Sequence, residues 1–160
     1  MKLYQHCISV VPLAVFGYAA GGGSWAVGIM AGLSSVLMDL DHIADYVIHN
    51  HGWGGMEDFF KSCEEGQLTR LYLVLHSFEW LILLWLLIGT GAAAPWGVGL
   101  TIGMTGHMLL DWLGNHNIVQ PSFYWLWYRV QNHFDGNVLY RVPPGRLAAQ
   151  PVRVAHDDRP

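Results

Sequence analysis

Two long stretches of this chain carry no formal charge at all. From Leu3 to Met38, and again from Trp80 to Leu110, there is no Asp, Glu, Lys or Arg, and each stretch holds a single histidine, His6 or His107. A helix on the surface of a soluble domain needs a polar face recurring every 3.6 residues, and neither stretch supplies one. A large protein could bury two such helices in its core, but a chain of 160 residues cannot. The sequence therefore predicts an all-α integral membrane bundle. Charged residues make up 12% of the chain, against about 25% in an ordinary soluble domain. With 8 basic and 12 acidic residues, a nucleic-acid partner held by a strongly basic surface is excluded. So is a disordered chain, which would be polar and poor in aromatics. Cys7 and Cys63 are too few for a disulfide framework or a cysteine-based zinc site.

The first apolar stretch is too long for one helix and is interrupted at Gly21-Gly22-Gly23-Ser24, where a glycine run favours a turn. This predicts helices near 5–20 and 25–38, each of roughly 15 apolar residues and so short of the ~20 that span a bilayer. A third span is predicted over 71–88, closed by Gly89-Thr90-Gly91, and a fourth over 95–113 with Pro95 in its first turn. Four passes leave the uncharged turns 21–24 and 89–94 on one face. All eight Lys and Arg residues then lie on the other, which the positive-inside rule makes cytoplasmic. Residues 39–70 are expected as an acidic cytoplasmic loop, 121–128 as an interfacial aromatic belt, and 141–160 as a flexible tail behind a membrane-embedded domain of residues 1–140. No cleavable signal peptide is evident.

In this arrangement the polar residues fall at helix ends that meet. Asp39, Asp41 and His42 close the second helix, His76 and Glu79 open the third, His107 and Asp111 lie in the last turns of the fourth, and His6 opens the first. Residues three or four apart share a helix face, so His76/Glu79, His107/Asp111 and Asp41/Asp45 each offer two groups to one point. A charged group at the bilayer centre costs about 2.5–3.5 kcal/mol on insertion scales. A divalent metal compensates by neutralising the carboxylates and engaging the imidazoles. Carboxylate and imidazole donors without thiolate suit a catalytic zinc, manganese, iron or magnesium ion better than a closed structural zinc. Each group has a plainer reading: a helix–helix hydrogen bond for His107, a polar stop for Asp39–His42, an interfacial cap for His76 and Glu79. Asp45 reads as an outer ligand, while Asn115, His116 and Arg129 are placed to contact an anionic substrate.

Three of these segments carry a family resemblance. Asp39-Leu40-Asp41-His42 resembles the Asp-x-Asp-His signature of the inner-membrane-associated metal-dependent hydrolases. Leu75-His76-Ser77 resembles their His-Ser box, and His107 followed by Asp111 resembles their third box. His6 falls where that family carries a histidine in its opening helix. The match runs in order over about residues 5–130, with Met38 standing where the family usually has proline. The resemblance implies a membrane-bound hydrolase with one or two divalent ions held by His6, Asp39, Asp41, His42, His76, His107 and Asp111. Glu79 is then the candidate general base for a metal-activated water. A site at the cytoplasmic face of an inner membrane favours a lipid-like or amphiphilic phosphoester. The main alternative is a non-enzymatic metal-binding membrane protein: a transporter subunit, a sensor or a structural site. An iron oxygenase with His-x-x-His-His boxes ranks third, because the chain has no such box.

Overall fold

The computed structural model describes residues 3–141, with side chains described from Ile8 onward except that of Glu64. The expected tail beyond Arg141 lies outside the described residues. Helix α1, Leu3–Ala20, ends at the glycine run for a specific reason. Gly22 takes a left-handed φ of 65°, Gly23 donates its N–H to Tyr18 O at 2.9 Å, and Gly22 donates to Ala19 O at 3.2 Å. This paired closure satisfies two orphan carbonyls and needs a residue without Cβ at the left-handed position. The chain then reverses into α2, Trp25–Leu37.

After α2 the helix tightens instead of ending. Asp39 N–H bonds Val36 O, and His42 N–H bonds Asp39 O, three residues back in each case. Such tight turns within a helical run often mark functional hinges. Here the turn hands the chain to α3, Leu40–Asn50, followed by α4, Met56–Glu64. The segment expected as a loop thus holds two helices. Helix α5, Phe78–Gly89, is shorter than the span expected over 71–88. Residues 71–77 form a non-helical connector, because side chains of other elements capture their peptide groups. Helix α6, Pro95–Gly114, follows the predicted bounds closely. A 3-10 turn at Pro121–Tyr124 and two short helices, α7 (Leu126–Gln131) and α8 (Gly136–Leu139), complete the described chain. No strand forms among the described residues, only isolated bridges at Arg70–Asp135 and Val119–Tyr140.

Helix α2 packs between α1 and α6, and α5 leans on α6. The contact faces are built of small residues. A Cβ on Gly28 would lie 3.0 Å from Ala14 O, one on Gly17 would lie 2.6 Å from Ala31 Cβ, and one on Gly103 would overlap Ser34 Oγ and the carbonyl oxygen of Ala31. Ser34 Oγ donates to Leu100 O across the α2–α6 seam at 3.2 Å, and Trp85 Nε1 donates to Thr105 Oγ1 from α5 to α6 at 3.1 Å. The large side chains point outward instead: Val11, Val15, Ile29, Leu33, Leu86 and Leu109 are all more than half exposed.

The main apolar core lies at one end of the bundle. There Met38, Leu68, Leu71, Leu73, Met104, Met108, Phe123, Tyr124 and Leu139 pack together. The expected aromatic belt is accordingly split, with Phe123 and Tyr124 buried in this core and Trp125 and Trp127 exposed. Among the described residues, one helical run, Trp25–Asn50, is long and apolar enough to cross a membrane; Ile8–Ala20 and Phe78–Gly89 are apolar but shorter.

Candidate metal centre

One stripe of α6 builds half of the site. Gly99, Gly103, His107 and Asp111 recur every four residues and so share a face. The two glycines admit the backbone of α2, and that approach sets the carbonyl of Ser35 against His107. The carbonyl is available because its usual helical partner, Asp39 N–H, bonds Val36 O in the tight turn. His107 Nδ1 lies 2.5 Å from Ser35 O. A carbonyl can only accept, so Nδ1 carries the hydrogen, and in the neutral ring Nε2 presents its lone pair.

The connector 71–77 supplies the opposing histidine. His76 Nδ1 lies 3.0 and 3.1 Å from the two carboxylate oxygens of Asp41, which again can only accept. In the neutral ring its Nε2 then also presents a lone pair, and the two Nε2 atoms face each other at 3.0 Å. Around them stand Asp111 Oδ2, 3.4 Å from His76 Nε2 and 3.6 Å from that of His107, and Asp39 Oδ1, at 3.8 and 3.5 Å. His42 Nε2 joins from α3, 3.9 Å from Asp39 Oδ1, with its ring edge-on to that of His76.

Atoms bound at 2.0–2.2 Å to one ion, at angles of 90–110°, lie roughly 2.8–3.6 Å apart. The His76, His107 and Asp111 separations fall in that range; of those to Asp39, the one from His107 falls inside it and those from His76 and His42, at 3.8 and 3.9 Å, lie beyond it. Electron-pair donors at such spacing need positive charge between them. The groups Asp39–His42–His76 and His76–His107–Asp111 can each hold a metal ion. The donor chemistry fits a divalent cation.

The structure sorts the residues named from the sequence. Asp39, His42, His76, His107 and Asp111 come together. Asp41 stands one layer behind, on the far nitrogen of His76, where a carboxylate fixes the tautomer and orientation of a ligating ring. Glu79 does not join them. Its two carboxylate oxygens accept the N–H groups of Leu126 and Trp127, each at 3.0 Å, and so cap the start of α7. The side chain of His6 lies outside the described residues. Asp45 also turns to backbone, accepting from Tyr72 N at 2.7 Å and Leu73 N at 3.1 Å. His116 Nδ1 meets the carbonyl of Leu113 at 2.7 Å, and Asn115 donates to Asp111 Oδ1 at 3.0 Å.

Arg129, read from the sequence as facing an anionic substrate, is fully buried instead. It donates to Leu73 O at 2.9 Å and His76 O at 3.1 Å. Burial pushes its guanidinium down to about 10, against the pull of the Asp41, Glu79 and Asp45 carboxylates. Nothing in local sequence marks Arg129 as inward-facing. The four-residue stripe on α6 is different, since the spacing of Gly99, Gly103, His107 and Asp111 was there to be read.

Asp41→Asn is expected to weaken divalent-metal binding about 10–100-fold, the usual cost of losing an outer partner of a ligating histidine. Competition with a chromophoric chelator measures it, and wild-type affinity would show that Asp41 does not orient the ring. Comparison of the chain with protein-family models, with curated proteins and with solved structures gives no match.

Proposed function

We propose that this chain is a membrane-embedded, metal-dependent hydrolase with one divalent ion among Asp39, His42, His76, His107 and Asp111. The observation that carries the reading is the spacing of the inward donors, above all two histidine Nε2 atoms 3.0 Å apart, each on a ring whose Nδ1 is held by an acceptor on its far side. An imidazole nitrogen has one lone pair, so His76 Nε2 serves a single ion. The two donor groups that share it make one centre, which favours one ion over two. Three imidazoles with two carboxylates suit zinc, manganese or ferrous iron better than magnesium.

When bound, such an ion acts as a Lewis acid that acidifies a water and polarises the scissile oxygen of the substrate. The chain's own residues do the rest. Asp39 turns Oδ1 to the centre, while its Oδ2 is buried and makes no hydrogen bond among the described residues. Oδ2 is thus available to take the proton of the attacking water, in place of the engaged Glu79. The His42 side chain is 30% exposed and that of Asp39 15%, against 2% for His76. Substrate therefore approaches along α3.

The setting we propose is the inner membrane, crossed in several passes, with the centre near the cytoplasmic face. Large apolar side chains face outward and small ones line the seams, the pattern of helices that pack in lipid. An open apolar groove of about 440 Å³, lined by Phe78, Leu81, Ile82, Trp85, Leu86 and Trp125, begins two residues after His76 and suits a lipid-like phosphoester. The resemblance of the three sequence boxes to the inner-membrane hydrolases points the same way. The donors form one knot, not a line through the bundle, which favours catalysis or a structural site over transport.

Elemental analysis of the purified protein, followed by hydrolysis of phospholipid and phosphomonoester panels, tests the reading. About one equivalent of metal and chelator-sensitive turnover are expected. Asp39→Asn retains a ligating oxygen but loses the base, so it should keep its metal while kcat falls about 10²–10⁴-fold. Metal without turnover would leave the non-enzymatic alternative standing, and protein that takes up no metal would overturn both.

A further inference from the structure

The connector 71–77 is held from two sides by groups of opposite charge. On one side α3 presents carboxylates to its N–H groups: Asp45 to Tyr72 and Leu73, and Asp41 to Leu75, the last at 2.9 Å. On the other side α7 presents Arg129 to its carbonyls, those of Leu73 and His76. The guanidinium lies over the ring of Phe123, 5.1 Å from its centroid. Arg129 is 0% exposed and its Nε makes no hydrogen bond among the described residues. For stability alone this is an expensive arrangement, because replacing buried charge with an apolar side chain of similar volume is often neutral or stabilising. What an apolar side chain cannot do is hold two carbonyls three residues apart. One of those carbonyls belongs to His76, whose ring faces the donor knot.

We propose that Arg129 is a positioning residue of the metal centre: with Asp45 opposite, it clamps the backbone of the connector and thereby fixes the Nε2 of His76 on the ion. The inference rests on the metal-centre reading and adds a residue that touches neither ion nor substrate. Leu73 supports the need for a clamp. It holds a φ of 39°, a left-handed conformation that costs a non-glycine residue energy and persists only where the surroundings enforce it. Both flanks of this residue are gripped, Asp45 taking its N–H and Arg129 its carbonyl.

The test is cobalt(II) binding to the purified full chain, with the visible absorption spectrum as a report on ligand number and geometry. Four variants are compared with wild type: Arg129→Met, Arg129→Lys, Asp45→Asn and His76→Ala. Arg129→Met is expected to bind cobalt about 10–100-fold more weakly, as losses of outer-shell support do. Its spectrum should move toward that of His76→Ala. Arg129→Lys, which keeps the charge but not the fork, should recover part of the affinity, and Asp45→Asn should shift in the same direction as Arg129→Met. A purely structural arginine would lower thermal stability and leave the spectrum alone. Wild-type affinity and spectrum in Arg129→Met overturn the proposal; if that variant does not fold, wild-type behaviour of Asp45→Asn does so. If wild type itself takes up no cobalt, the metal-centre reading falls, and the clamp with it.

Discussion

His76→Ala and His107→Ala should each reduce bound metal in the purified protein from about one equivalent to background. Each removes a nitrogen whose lone pair is aimed inward by a fixed partner on the ring's other side, Asp41 for His76 and Ser35 O for His107. Losing an outer partner of a ligand costs about 10–100-fold in affinity, and losing the ligand itself should exceed the upper figure. The same variants carry a second signature. A ligand at 100 times its Kd stabilises the folded state by about 2.7 kcal/mol, so added zinc or manganese should raise the unfolding temperature of wild type and leave both variants unmoved. Both rings are buried, so a general loss of packing is separated from metal loss by comparing metal-free proteins. If both variants keep a full equivalent of metal, the facing histidines are not ligands and the proposed function fails.

The second large effect belongs to the α2–α6 seam. Gly103→Ala is expected to destabilise the protein by about 1–3 kcal/mol, the usual range for overpacking. The upper end applies because the added Cβ would overlap the Ala31 carbonyl oxygen as well as Ser34 Oγ. A side-chain tip can swing away, but a helical carbonyl moves only with its helix. Pushing α2 off α6 also withdraws Ser35 O from His107, so metal affinity should fall with stability. Gly89→Ala is the control. Gly89 is the last residue of α5, with nothing within 4 Å of its Cβ position, so alanine there is expected to leave stability unchanged or slightly raised. Thermal unfolding in one detergent measures both. A Gly103→Ala protein as stable as wild type would mean that the seam is looser than the close approach described here.

The resulting site depends on packing at a distance from its ligands. Gly99 and Gly103 touch no candidate ion, yet they set the depth at which His107 meets α2. Arg129 and Asp45 donate to or accept from backbone only, yet they decide where His76 stands. Substitutions at these positions should therefore reach the metal centre through geometry, and their effects should be coupled to those at the neighbouring ligands.

Much of this was legible along the chain. The uncharged stretches and the glycine run gave α1, α2 and α6 nearly at their observed bounds, because helix periodicity and turn chemistry are local. The histidines and aspartates that converge were all recognisable by their placement at the ends of apolar segments, where an uncompensated polar group is costly. The start of α5 was not legible. Residues 71–77 are apolar enough to read as helix, but they take a non-helical, turning course in which Asp41, Asp45 and Arg129, distant in sequence, bind their peptide groups. Asp41 and Glu79 show the same limit from the other side. Sequence shows a carboxylate near the site, but whether it faces the ion, the back of a histidine or the start of α7 depends on which N–H groups lie within reach. Composition and spacing thus determined that helices would form and that their polar residues would gather. Tertiary structure alone decided which of those residues face the centre and which hold the others in place, because hydrogen bonds between segments are fixed by three-dimensional approach and not by order along the chain.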